Sequence, residues 1–225
     1  MARIDLPSGT PAELALPPGG DPLRGLVIAP DIGGLRPLFD EMCARLANDH
    51  GWAVCAVEPY PDEVAAGIAP DLPARLNGGL DVERMINDLQ AAADVVQERT
   101  GVSRVAVLGF CQGGMNTFRA AGTGRFDKAV PFYGMVRPPQ QWSSPGNDPL
   151  DALSRPECCP VLAIFGGVDQ WTPSDDIEAA KASGAHVSAR VFPDADHGFV
   201  HDPSRPAHRA DDAADAWHAV IEFLA

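Results

Sequence analysis

The sequence predicts a three-layer α/β domain, with a mostly parallel central sheet flanked by helices. Three observations carry this expectation. Short apolar runs alternate along the chain with stretches of helical periodicity. The central runs are apolar at every position, as strands buried on both faces are. A chain of 225 residues suits one such domain with a single core, so residues 1–225 are read as one domain.

The elements follow in order. The first twenty-odd residues are rich in Pro and Gly and alternate weakly, which reads as a short hairpin or edge element. RGLVIAP (Arg24–Pro30) is a compact apolar run and a buried strand. Leu38, Met42, Leu46 and Ala47 fall at helical spacing between Pro37 and Asn48, and Trp52–Val57 is the next strand. Tyr60 to Leu80 holds many Pro and Gly without a clear period and reads as a long loop, a feature often functional in compact domains. A strong helix follows: Asp81 caps it, Val82, Met85, Ile86, Leu89, Ala92, Ala93 and Val96 form its apolar stripe, and Gly101 ends it. RVAVLGF, AVPFYG, PVLAIFGG and VSARVFP are strands, GGMNTFRAAG starts a helix, and Pro173–Ser183 is helical. The tail from Ala207 to Leu224 is an amphipathic helix with Ala213, Trp217, Ile221 and Leu224 on its apolar face.

A net charge of −14 repels nucleic acid and anionic lipid, so neither is an expected partner. No window approaches eighteen apolar residues, so no transmembrane helix is expected, and the N-terminus MARIDLPSGT lacks the pattern of a secretory signal. Five cysteines, without disulfide spacing, point to a reducing compartment and a cytoplasmic location. Adjacent Cys158 and Cys159 make poor joint ligands and no His stands beside them, so no metal site is expected.

The chemistry concentrates in Gly109-Phe110-Cys111-Gln112-Gly113, where a buried strand turns directly into a helix. This is the nucleophile-elbow pattern with Cys in place of Ser. The glycines two positions either side of the nucleophile avoid clashes in the sharp turn, and the helix N-terminus beneath the sulfur favours thiolate. The alternative is that Cys111 is a small buried hydrophobe, as free cysteines often are. Two loops follow in the order that such an elbow requires, acid and then histidine. Asp169 stands just beyond the strand PVLAIFGG, and His197 follows the strand VSARVFP. Asp194 and Asp196 compete for the acid role but lie too close to His197 along the chain. For the oxyanion, the expected donors are the backbone N–H groups of Gln112, after the nucleophile, and of Ile32, in the Asp31-Ile32-Gly33-Gly34 loop after an early strand. Phe39, Tyr60, Trp171 and Phe199 are candidates for the pocket rim, although each singly fits packing as well.

G-F-C-Q-G-G, the strand leading to Asp169, the A-D-H-G-F segment around His197 and the tail R-P-A-H-R-A-D-D-A-A-D-A-W together resemble the dienelactone hydrolase family, from about Arg24 to the end. The resemblance implies an α/β-hydrolase fold of about eight strands with no large cap domain. It implies a Cys111–His197–Asp169 triad and no cofactor. In the family a Glu stands at the position of Asp31 and takes part in ionising the cysteine; Asp31 is one methylene shorter and fits a loop-capping carboxylate equally well. The family also binds its substrate's carboxylate with arginines, one of them four residues after the catalytic His. Here that residue is His201, a weaker anchor than a guanidinium fork, with Arg205 nearby if the loop bends back.

The expectation is a hydrolase of a small ester or lactone, of the carboxymethylenebutenolidase type, acting as a monomer or small homo-oligomer with substrate contacts at Asp31, Phe39, Tyr60, Trp171, Phe199 and His201. Two other readings share the pocket. One is a different hydrolysis on the same fold, such as thioester cleavage. The other is a non-catalytic or redox-sensing relative in which Cys111 is hard to activate.

Overall fold

The computed structural model describes residues 1–225. The elements in chain order are β1 (Ala2–Asp5), β2 (Pro11–Ala15), β3 (Arg24–Ala29), α1 (Pro37–His50), β4 (Trp52–Val57), α2 (Pro61–Ala65), α3 (Leu72–Leu76), α4 (Val82–Thr100), β5 (Val105–Phe110), α5 (Gln112–Ala121) and β6 (Ala129–Phe132). A 3-10 turn (Gln140–Trp142) follows, then α6 (Pro149–Leu153), β7 (Val161–Gly166), α7 (Ser174–Ala182), β8 (Val187–Phe192) and α8 (Ala210–Leu224).

The eight strands form one sheet in the order β1-β2-β4-β3-β5-β6-β7-β8. β1 pairs with β2, and β2 with β4, in antiparallel register; every other pairing is parallel. The N-terminal residues thus make an edge hairpin. The runs β3, β4, β5 and β6, apolar apart from Arg24 at the start of β3, are buried along their whole length, because helices cover both faces.

Alternate strand residues feed two cores. Val27, Val105 and Val107 face Met85, Leu89 and Val96 of α4 and Phe118 of α5. Leu26, Ile28, Ala106 and Leu108 face Met42 and Leu46 of α1 and Ala216, Val220 and Leu224 of α8. Each fully buried Leu or Ile contributes on the order of 2 kcal/mol. The Asp81 carboxylate accepts the Arg84 N–H at the start of α4, and Gly101 closes that helix in the left-handed conformation.

Two local readings differ from the expectation. Residues 60–80 hold two five-residue helices, α2 and α3, each opened by a proline in its first turn. Helices this short carry no visible period. Trp217, expected in the core, is half-buried: its ring packs 5.5 Å from that of Phe132, and the Arg45 guanidinium lies over it at 5.3 Å. The buried stripe of α8 runs instead through Ala213, Ala216, Val220 and Leu224.

The chain passes from β3 outward to β4, then returns past β3 to β5. This reversal is a topological switch point, and in such sheets a crevice opens beyond the carboxyl ends of the two central strands. The Asp31–Gly34 loop leaves β3 there, and Cys111 leaves β5 beside it, since Ala29 and Gly109 are partners in register. No helix is long and apolar enough to cross a membrane.

Candidate active site

Cys111 occupies the one-residue turn between β5 and α5, with φ 57° and ψ −117°. A non-glycine residue there stores about 1–3 kcal/mol, which the surroundings must over-determine. They do so through two backbone bonds at 3.0 Å: the Cys111 N–H donates to Phe132 O, and the Met115 N–H donates to Cys111 O. Gly113 is required by space. A Cβ on it would lie 2.0 Å from Ala29 O and 2.3 Å from Pro30 O, so α5 packs directly on the end of β3. The sulfur is half-buried at the N-terminus of α5, where the helix dipole favours negative charge.

His197 follows β8 and reaches back over this turn. Its Nδ1 donates to Asp169 Oδ2 at 2.8 Å, and Asp169 is itself buried. The Trp171 N–H (2.8 Å) and the Thr172 hydroxyl (3.0 Å) also donate to the Asp169 carboxylate, one to each oxygen. Asp196 accepts the His197 backbone N–H at 2.6 Å and does not take the ring. Burial alone would lower the imidazole's pKa. The Cys111 charge, with hydrogen bonds to Asp169 and Cys111, outweighs burial and raises it to about 10. The structure therefore brings Cys111, His197 and Asp169 together, with the imidazole between carboxylate and sulfur.

A cavity of about 660 Å³ opens above Cys111 and His197. Ile32 and the half-exposed Trp171 border it, with Leu72, Leu76, Met135 and Trp142 as an apolar wall. Arg36, Asp202 and Arg205 add charge at its edge. Arg36 is bound to both oxygens of Asp31, at 2.7 and 2.9 Å. Arg205 is brought in by a turn in which its N–H donates to Asp202 O at 3.1 Å; its guanidinium lies over Gly198 and joins none of the ion pairs around it.

The remaining expected contacts sort differently. Asp31 borders the cavity, but its carboxylate is saturated: beyond Arg36, Oδ1 accepts the Gly33 N–H at 2.9 Å and Oδ2 accepts His201 Nε2 at 2.7 Å. Burial would raise its pKa; the hydrogen bonds and charges of His201 and Arg36 hold it well below the usual carboxylate range. His201 is buried, not a wall residue. With Nε2–H committed to Asp31, its Nδ1 accepts the Tyr133 hydroxyl, so no ring nitrogen is left for a ligand. Phe39 and Phe199, expected at the rim, are fully buried behind the site because the Arg36 guanidinium caps the first and Tyr133 and Phe192 pack on the second. Tyr60 is also buried, and its hydroxyl donates to Gln112 Oε1 at 2.9 Å.

Three neighbours escaped the sequence reading. Tyr133 is fully buried beside His197, with ring centroids 5.1 Å apart, and adopts a positive φ of 39°. Its place just beyond the carboxyl end of β6 is the signal that could have found it. Arg36 and Arg75 carry no such signal, being single arginines in loop-like sequence. No group of three or more His, Cys, Asp or Glu side chains has the geometry to hold a metal ion.

Comparisons with known proteins identify the family and the fold. The sequence model of the dienelactone hydrolase family matches residues 11–225. An Escherichia coli O157:H7 protein provisionally named a carboxymethylenebutenolidase is 31% identical over 224 residues, covering 95% of this chain and 81% of its own. A Pseudomonas putida protein named carboxymethylenebutenolidase is 27% identical over 220 residues, covering 92% and 88%. The crystal structure of a protein from Klebsiella pneumoniae subsp. pneumoniae MGH 78578, provisionally described as a dienelactone hydrolase, superposes with a TM-score of 0.85 at 25% identity, over 98% of this chain and 96% of its own. The chain belongs to the dienelactone hydrolase family.

Proposed function

We propose that the chain hydrolyses a small ester or lactone through the Cys111 sulfur, with His197 as acid and base and Asp169 as its anchor. One observation carries the reading. A half-buried imidazole bonded to a buried carboxylate at 2.8 Å faces a half-buried sulfur on a strained elbow, at the floor of a 660 Å³ cavity. Asp169 fixes the tautomer that keeps Nε2 toward the sulfur.

The steps follow from these groups. His197 holds the thiol proton, and the thiolate attacks the substrate carbonyl carbon. Negative charge collects on the carbonyl oxygen, and the backbone N–H groups of Ile32 and Gln112 receive it. The tetrahedral intermediate collapses as the imidazolium gives its proton to the departing alkoxide, leaving a thioester. His197 then takes a proton from water, which attacks the thioester, and a second collapse releases the acid and returns the proton to the Cys111–His197 pair. For a lactone, the alkoxide and the acid belong to one product molecule.

Asp31 has a different role in this proposal from the family's glutamate. Its oxygens serve Arg36, His201 and the Gly33 N–H, so it holds the loop and leaves Cys111 to His197. His201 supports Asp31 and does not anchor substrate. A substrate carboxylate, where present, meets Arg205, the guanidinium without an ion-pair partner at the cavity edge. The apolar wall suits a compact or conjugated acyl group. A cytoplasmic location accords with the cysteines, all five of which are free.

The test is hydrolysis of p-nitrophenyl acetate, p-nitrophenyl butyrate and a dienelactone by wild type and Cys111→Ala. Turnover by wild type, reduced at least about a thousandfold in the variant, is expected, since removing a nucleophile leaves only oxyanion stabilisation and binding. A wild type inert toward every ester overturns the proposal, and so does a fully active variant.

A further inference from the structure

The segment between β4 and α4 holds a buried guanidinium that the mechanism above does not use. Arg75, on α3, is 3% exposed. Its Nη1 donates to Ile32 O at 2.7 Å. Nη2 and Nε donate to one Glu63 carboxylate oxygen at 2.6 and 3.0 Å. The guanidinium carbon lies 3.9 Å from the centroid of the Tyr60 ring. Tyr60 in turn donates its hydroxyl to Gln112 Oε1. Burial pushes the Tyr60 phenol up to about 12, so it stays a donor throughout the neutral range. The Arg75 carbonyl accepts the Trp142 indole N–H at 3.3 Å, which ties the same residue to the cavity wall.

One of these contacts meets a peptide unit that is also held at its other end. The Ile32–Gly33 peptide gives its carbonyl to Arg75 and its N–H to Asp31 Oδ1. A turn containing Gly33 and Gly34 could otherwise rotate this peptide at small cost, because glycine adopts either sign of φ. With both ends of the Ile32–Gly33 peptide bonded, its rotation is blocked; the adjoining Asp31–Ile32 peptide, which carries the Ile32 N–H, gives its carbonyl to the Gly34 N–H at 3.0 Å, so the two peptides are held as one turn. Glu58 fastens the far side of the same turn: its oxygens accept the Leu35 N–H and the Tyr60 N–H, each at 2.9 Å. The Tyr60 side chain then reaches Gln112, whose Nε2 is buried without a partner, so the tyrosine contact is the one bond that orients this amide.

We infer that Arg75 is a positioning residue for the oxyanion site: it locks the Ile32–Gly33 peptide directly and steadies Gln112 through Tyr60. The inference rests on the proposed hydrolysis, in which Ile32 and Gln112 supply the two donors. It adds that a side chain from the loop-like segment 60–80 sets the geometry of both.

Arg75→Met, Arg75→Lys and Tyr60→Phe test this with two reactions of the same sulfur. Hydrolysis of p-nitrophenyl butyrate builds an oxyanion; alkylation of Cys111 by iodoacetamide does not. Removing one oxyanion donor outright costs about a hundred- to a thousandfold in kcat, so loosening its support in Arg75→Met should cost about ten- to a hundredfold. KM and the alkylation rate should stay within about twofold of wild type, and so should the pH dependence of alkylation. Arg75→Lys should recover part of kcat, and Tyr60→Phe should lose a few-fold.

An unchanged kcat in Arg75→Met overturns the inference. A rise in KM alone would make Arg75 a wall residue, and a parallel fall in alkylation would place the damage at the nucleophile or the fold; either result also overturns it. If Arg75→Met fails to fold, Arg75→Lys and Tyr60→Phe decide the matter, and full kcat in both is then the overturning result. A wild type inert toward esters sinks the hydrolase proposal itself, whereas an active wild type with indifferent variants sinks this inference alone.

Discussion

His197 has two neighbours that act on its charge, and their removal should be visible in its titration. Its folded pKa is about 10 against an ordinary 6.5. A raised value means that the imidazolium stabilises the fold fully below about pH 6.5 and loses that contribution as pH rises through about 10. Burial opposes this, so the Cys111 charge and the Asp169 bond must carry the rise. Following the ring Cε1–H by NMR should give a midpoint above pH 8.5 in wild type. Cys111→Ala should lower it by at least about one pH unit, because the alanine leaves burial unopposed by the sulfur. A midpoint near 6.5 in both proteins would contradict the account of the pair. At this scale the sequence located three side chains by their strand ends, and the fold brings them together: Cys111 in its glycine-flanked turn, Asp169 after β7 and His197 after β8. It did not disclose Arg75 or Tyr133. Their partners, Ile32 and His201, stand 43 and 68 positions away, and nothing local marks such a contact.

Among the elements, β3 and α5 depend on each other through one missing side chain. A methyl on Gly113 would meet two backbone carbonyl oxygens, at 2.0 and 2.3 Å, and neither can move without lifting the helix from the sheet. Gly113→Ala should therefore destabilise by more than about 3 kcal/mol, the upper range for overpacking. The same change at Gly19 meets nothing within 4 Å and no positive φ, so it should be neutral or stabilising by up to about 1 kcal/mol. Urea midpoints of the two variants check the contrast, and similar midpoints would show that α5 can shift to make room. The strands were legible because β4, β5 and, after Arg24, β3 are apolar without interruption, a pattern that burial on both faces produces. The helical turns of residues 60–80 were not. α2 buries no side chain and α3 buries only Arg75, so their order comes from the Arg75–Glu63 ion pair between them and from long-range side-chain bonds to backbone carbonyls, of Arg75 to Ile32 and of Gln141 and Trp142 to α3.

For the whole molecule, charge acts on substrate in two opposed ways. The net charge of −14 repels anions at a distance. At the cavity edge the Arg36 charge is matched by Asp31, whereas Arg205 has no carboxylate partner. A carboxylate-bearing ester is therefore repelled on approach and attracted on arrival. A hydrogen bond to a charged group contributes about 1.5–3 kcal/mol. Arg205→Gln should thus raise KM about tenfold or more for mono-p-nitrophenyl glutarate, and leave KM for neutral p-nitrophenyl butyrate within about twofold. Salt separates the two effects. Raising ionic strength from about 0.01 M to about 1 M shortens the screening length from about 30 Å to about 3 Å. The long-range repulsion disappears in both proteins, so the anionic ester should gain kcat/KM in each. A contact with the half-buried Arg205 would act at short range, so the ratio between wild type and variant should fall less steeply than the repulsion does. Equal KM changes for the two esters would show that residue 205 shapes the cavity without reading charge, and the substrate carboxylate would then have no anchor at this edge.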